Sequence, residues 1–544
     1  MGNQNNLKGN SNTLVGDSNN VGGNNNTLLG SENTLIGNSN AVNGSGNAMK
    51  GNQNSVNGNS NQVVGDQNLI NKDNNRVAGS QNAVNGNGNT LIGNQNGITG
   101  DNNSVKGNQN GVQGNQNMLA GNANLVQGDN NGVGGNSNTV SGSSNLVLGD
   151  QNALLNANNN QVKGSLNTVQ NGDNNMVQGR QNLVSGSDNK LMTENSTVTG
   201  NQNQMLGSSL TVTGNQNLLK GDSSSIVGSN NILLGSNNII VGNDNNNTGS
   251  FNQISGQQNN AAGDKNLIKG RVNNVVGYTN NVTGDLNTVY GDSNSLKGNQ
   301  NKVAGNSNNI NGNTNTLQGN NNTVNGDQNL LKGNETIING SYNAVAGNSN
   351  IVNGNENSAI GNSNNLNGNK NQVLGSQNAV NGSENILQGD SNKVKGSQNT
   401  LSGDNNNLSG NKNMVSGSQN NVAGNSNGVK GSSNQLMGDF NLIFGDANKV
   451  KGNQNAVNGS LNQLIGSNNM LQGNENKVKG SQNLVAGDHN AMQGNGNQVK
   501  GNSNALIGDA NFIFGSLNSV FGSSNKVAGN SNTLQGNKNS VAGS

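Results

Sequence analysis

The chain has 544 residues, 28% of them hydrophobic and 2% aromatic, with 84 glycines and no proline, cysteine or tryptophan; 27 basic and 26 acidic side chains nearly cancel. That composition excludes an ordinary globular core, a disulfide scaffold and a thiolate metal site, and the charge balance excludes the basic footprint of a nucleic-acid binder. Disorder is excluded as well, because disordered chains are rich in proline and net charge, and their apolar residues need no fixed interval.

The start, Met1-Gly2-Asn3-Gln4-Asn5-Asn6-Leu7, has neither the basic nor the apolar segment of a signal peptide, so none is expected and the compartment stays open. No apolar run is long enough to span a bilayer. From Gly2 a seven-residue unit repeats: Gly, then Asn, Asp or Ser, any residue, Asn, any residue, Val, Leu or Ile, any residue. Gly51 to Val64 hold two copies, GNQNSVN and GNSNQVV. Residues 2–155 keep the register, with Lys72 in place of one glycine. Residues 156–262 are irregular and open with two eight-residue units, Asn156 to Lys163 and Gly164 to Asn171. Further on Thr193 replaces Gly, Ser196, Leu210 and Ser224 replace Asn, and Asn247 and Ala261 take the aliphatic slot. Residues 263–544 are regular again, with lapses at Thr336 and Ala359. The organisation expected is one continuous array of roughly 77 units.

A coiled coil would need apolar residues at two positions in seven, and a glycine in every unit would cost about 1 kcal/mol in a helix interior. A short strand followed by a turn fits instead. Side chains alternate along a strand, so the aliphatic residue and the Asn two positions before it point inward, while the residues flanking the aliphatic point outward. Gly and its Asn, Asp or Ser successor are read as the turn residues, since both tolerate the left-handed region. One such strand cannot bury its face alone, but stacked coils can. The fold predicted is an all-β solenoid (β-roll) of about 38 coils, two units per coil. It has two parallel sheets, a thin Val/Leu/Ile core and internal Asn ladders, and at about 4.8 Å per coil it extends roughly 180 Å. A four-stranded coil of 28 residues is also compatible with the spacing.

The unit x-x-N-x-V-x-G, present as NQNSVNG (52–58) and NSNTVSG (136–142), resembles the repeat of grass ice-recrystallisation-inhibition (antifreeze) β-roll proteins. The resemblance covers nearly the whole chain. It implies a β-roll with inward Val and Asn ladders, ice as a partner and an extracellular setting. The residues that carry it are the inward ones, whereas ice binding would use the outward ones.

Two outward segments read TVT, Thr197–Thr199 and Thr211–Thr213, two units apart and so vertical neighbours on a two-unit coil. Up to residue 262 the basic residues beside an aliphatic are Lys8, Lys50, Arg76, Lys106, Lys163, Lys190 and Lys220, all in odd-numbered units and so on one sheet. Apart from Lys8 they recur at multiples of four units, and KVK recurs later at Lys393/Lys395, Lys449/Lys451 and Lys477/Lys479. This rhythm reads either as reduced repulsion in an array duplicated in blocks, or as a surface patterned for lateral packing. Even-numbered units of the first 160 residues carry no charge beside the aliphatic; they show Thr13, Thr27, Ser55 and Thr139 among Ala, Gly and Asn. That face reads as an ice face, a sheet-to-sheet interface or a polar solvated face. Thr13, Thr27, Ser55, Thr139, Thr197, Thr199, Thr211 and Thr213 are its candidate residues.

Catalytic chemistry finds no material. His489 is the single histidine and the acids are mostly lone turn residues, so no catalytic, cofactor or metal site is expected. Phe440, Phe444, Phe512, Phe514 and Phe521 form a candidate contact cluster. The leading reading is a non-enzymatic building block of a fibre or surface assembly, self-associating through open ends or patterned faces. The alternative is ice binding through one flat neutral face.

Overall fold

A computed structural model describes residues 2–543. The chain divides into two compact units, one up to Asn273 and one from Asn274 onward. The first holds 38 strands, Asn6–Lys8 to Leu267–Lys269, and the second 39, Asn274–Val276 to Ser540–Ala542. No helix occurs among the described residues. Nearly all strands are three residues long, and in each unit they alternate between two parallel sheets, here called odd and even after strand order. In the first unit Arg76, Val77 and Ala78 pair with Thr90, Leu91 and Ile92; in the second Lys449, Val450 and Lys451 pair with Gln463, Leu464 and Ile465. Each strand therefore meets the strand 14 residues on. The coil is two units, not four.

Each strand contributes one aliphatic side chain to the interior, and two strands face each other across it. Val77, Leu91, Val126 and Val147 in the first unit are at most 1% exposed, as are Ile310, Leu317 and Leu331 in the second. One buried aliphatic is worth about 1.5–3 kcal/mol. So thin a core must be supplemented by hydrogen bonds, and the repeated Asn supplies them. Asn110 shows the pattern. Its Nδ2 donates to Asn96 Oδ1 (2.9 Å) and to the carbonyl of Gly121 (2.9 Å), and its backbone N–H donates to Asn96 Oδ1 (2.9 Å). Its own Oδ1 accepts from Asn124 N and Nδ2, both at 3.0 Å. Every polar group of this buried side chain is satisfied, and the side chain replaces the backbone ladder at the corner where a strand cannot continue. Where Ser224 takes this slot, its Oγ accepts from Asn238 N (3.1 Å) and donates to the Asp222 carbonyl (3.1 Å), fewer bonds than Asn makes.

The corner itself differs from the expectation. The glycine has a positive φ (+135° at Gly107), but the second left-handed residue is the third of the turn, not the Asn, Asp or Ser that follows glycine. Gln109 (φ 60°), Leu166 and even Val272 hold that position. The reason is hydrogen bonding. The second residue must aim its side chain along the stack, as Asn108 Oδ1 accepts from Asn94 N (2.8 Å), so the left-handed cost of about 1–2 kcal/mol falls on a side chain with no such duty.

The irregular stretch is absorbed at corners. Leu146 pairs with Gln161 and Thr168 with Leu183, 15 residues apart. The added residues, Asn156 and Asn171, are left-handed, and Ala157 then occupies a glycine slot without a positive φ. Thr193, also in a glycine slot, continues a five-residue strand, Lys190–Glu194, and is buried with Oγ1 donating to Asn182 Oδ1 (2.8 Å).

Asn247 is a flaw in the core. It sits fully buried where an aliphatic belongs, in register with Leu233 and Ala261, and its Oδ1 has no partner. Its Nδ2 reaches only the Gly249 carbonyl, at 3.4 Å. Replacing an unsatisfied buried amide by an apolar group of similar size removes a penalty of about 1–3 kcal/mol. Asn247→Val is expected to raise the thermal midpoint and to slow amide exchange in the adjoining coils.

Candidate functional site

Inward positions are the same throughout, so the outward ones distinguish one surface from another. Of the 26 acidic residues all but Glu194, which ends the five-residue strand Lys190–Glu194, lie at turn positions, and none is beside a buried aliphatic. Acids therefore line the corners, and the sheet faces are either basic or neutral. In the first unit the odd sheet carries Lys8, Lys50, Arg76, Lys106, Lys163, Lys190 and Lys220. The even sheet carries no charged side chain from Thr13–Val15 to Gln253–Ser255, a run of 18 strands. Only its last strand, Leu267–Lys269, breaks the rule.

Threonine is sorted the same way. Nine outward threonines lie on this even sheet (Thr13, Thr27, Thr99, Thr139, Thr168, Thr197, Thr199, Thr211 and Thr213), against three on the odd sheet. The structure puts all eight candidate residues from the sequence on this one sheet. Thr13 and Thr27 are direct neighbours, Ser55 and Thr139 stand apart, and the two TVT strands pair residue for residue.

The TVT pair is half of a larger patch. Below it, Thr211 and Thr213 pair with Ser225 and Val227, which pair with Ile239 and Val241. Two columns result, Thr197-Thr211-Ser225-Ile239 and Thr199-Thr213-Val227-Val241. Seven of the eight side chains are β-branched, hence held to few χ1 rotamers. Val227, Ile239 and Val241 are 46–49% exposed. Rows repeat about every 4.8 Å along the stack and columns stand about 6.6 Å apart along the strand. Strand pairing holds the spacing, with Val198, Val212, Ile226 and Ile240 buried beneath; the Asn ladder is interrupted behind the patch, where Ser196, Leu210 and Ser224 stand in the Asn slot. A search for threonine alone passes over Val227, Ile239 and Val241; the signal for them was the parity of the repeat, carried through the two eight-residue units.

The phenylalanines do not come together. Phe440 is a left-handed corner residue, Phe444 and the pair Phe512 and Phe514 lie on the odd sheet of the second unit, five coils apart, and Phe521 lies on its even sheet. Lys500 Nζ sits 5.2 Å from the Phe514 ring centre. His489 is an exposed corner residue with Nε2 2.7 Å from Glu475 Oε2, one coil away. Among the described residues no cluster of three or more His, Cys, Asp or Glu could hold a metal, and no helix is long and apolar enough to cross a membrane.

The family model for the grass antifreeze beta roll matches eight overlapping stretches: 1–86, 72–154, 141–228, 217–298, 295–382, 374–459, 431–515 and 458–544. The chain belongs to this family. No curated protein matches it. The matched stretches run the length of the repeat, and the match does not single out one outward face over another.

Proposed function

We propose that the protein binds ice and restrains ice recrystallisation through the even sheet of its first unit, with the patch from Thr197 to Val241 at its centre. The observation that carries this is the uncharged run of 18 strands, on which nine threonines collect while the strand cations from Lys8 to Lys220 lie on the opposite sheet. Ammonium and guanidinium groups hold their own hydration shells and resist being packed against a solid. A face that binds ordered water must therefore be free of them. Its methyl groups must also sit on a fixed lattice, because ordering them at the moment of binding would cost side-chain entropy of about 0.5–1.5 kcal/mol each. β-branched residues on regularly paired strands have lost much of that freedom already.

Membership of the grass antifreeze beta roll family supports this reading over the fibre-building one. The test is an ice-recrystallisation assay on the full chain. The expected outcome is that micromolar protein keeps grains small through prolonged annealing; grains that coarsen as in buffer would refute the proposal.

A further inference from the structure

The even sheet of the second unit carries a different surface. Strands Lys393–Lys395, Lys449–Lys451 and Lys477–Lys479 each expose two lysines. Strand register joins them into two columns. One runs Lys393, Asn407, Asn421, Gln435, Lys449, Gln463, Lys477; the other Lys395, Ser409, Ala423, Met437, Lys451, Ile465, Lys479. Six ammonium groups thus stand on a stripe two side chains wide and about 29 Å long, at about 4.8 Å per coil. No strand of this sheet carries an acid to neutralise them. The second column continues the other way as six successive asparagines, Asn381 back to Asn311, in direct register with Lys395. Within it Asn325 Nδ2 donates to Asn339 Oδ1 (2.9 Å), and Asn339 Nδ2 to Asn353 Oδ1 (2.8 Å).

We infer that this stripe binds an acidic polysaccharide, a linear sugar chain bearing carboxylates or sulfates, laid along the stack. Charge complementarity calls for a polyanion, and the narrow straight track suits a linear one better than a membrane plane. The rest of the stripe selects its class. Amides, which donate to and accept from hydroxyls, fill the positions between the lysines of the first column and the six positions beyond Lys395 in the second, whose intervening positions are Ser409, Ala423, Met437 and Ile465. From Asn309 to Gln493 this sheet presents no aromatic side chain on which bases could stack, and no arginine fork for phosphate. The lysine pairs are four and then two coils apart, so every interval between charged rungs is an even number of coils. A sugar chain whose successive units turn over presents its acid groups on one side in the same alternate fashion.

The test compares three forms of the full chain for retention on immobilised polygalacturonate. They are the natural protein, a variant with all six stripe lysines changed to Gln, and a control in which Lys50, Arg76, Lys106, Lys163, Lys190 and Lys220 are changed to Gln. Circular dichroism confirms that each is folded. The expected result is binding by the natural protein that weakens about tenfold or more between 50 and 200 mM salt, as counterion release requires. The stripe variant is expected to lose about tenfold or more at low salt, and the control, with the same charge removed, to stay within about twofold. The inference is overturned by no binding, by equal loss in both variants, or by tighter binding of the natural protein to phosphatidylserine vesicles or duplex DNA than to the polysaccharide. Ice activity uses a different face, so failure here and failure of the ice proposal are seen separately.

Discussion

Alanine at Gly107 is expected to melt the coils around it, with a loss of about 4 kcal/mol. Gly107 has φ +135°, a region that L side chains rarely adopt. A Cβ there would collide with the carbonyl oxygen of Gly121 in the next coil and lie 3.2 Å from Asn110 Nδ2. Strain accounts for about 1–3 kcal/mol of the loss. Moving the corner aside adds about 1–3 kcal/mol, because the Gly121 carbonyl is also the acceptor for Asn110 and the Gly121 N–H is bonded to Lys106 at 2.8 Å. The effect should be local, seen as fast amide exchange between about residues 93 and 124, since each coil touches only its neighbours. Gly97 is the control. It is an outward strand residue with ordinary φ and nothing within 4 Å of its Cβ position, so Gly97→Ala should change stability by less than about 0.5 kcal/mol.

The second large effect concerns activity. Thr199→Lys with Thr213→Lys places two ammonium groups in adjacent coils of the Thr197–Val241 patch on the proposed ice face, one column apart from Thr197 and Thr211. Each must be stripped of water for the face to seat, and even a few kcal/mol of such cost is about a hundredfold in affinity. The protein concentration needed to hold grain size should rise about tenfold or more. Gln204→Lys with Leu206→Lys, in the same coils but on the odd sheet where Lys190 and Lys220 already stand, should leave activity within about twofold. Both pairs are surface changes, so matching thermal midpoints separate a lost face from a lost fold.

Much of this architecture is legible in the sequence because the inward code is short and never changes parity. Asn54 and Val56 in GNQNSVN are separated by two, which places both on one side of a strand and leads to ladders in a stacked solenoid; the strand register then decides for the two-unit coil over the four-unit one. The two eight-residue units add one residue each and so preserve the alternation of sheets, which is why Thr197 and Thr211 can be assigned to the same face as Thr13. The left-handed corner residue was not legible. Position three accepts Gln, Ser, Leu, Val or Phe alike, and its conformation is imposed by the capping demands of position two, a relation between coils and not within one. Nor were Val227, Ile239 and Val241, since a single aliphatic beside another reads as ordinary strand sequence until its register with Thr213 and Ser225 is known. The phenylalanines fail for the converse reason. Closeness in sequence says little when neighbouring units face opposite ways, as Phe514 and Phe521 do.

Because the chain has no cysteine, one can be introduced and blocked selectively. The most direct test places a cysteine at Thr213 in one variant and at Leu206 in another, couples each to a bulky polymer, and measures uptake into a slowly growing ice hemisphere. The account predicts that the protein blocked at 213 stays in the liquid while the one blocked at 206 enters the ice as the natural chain does. Equal uptake of the two, or exclusion of the one blocked at 206 alone, would contradict it.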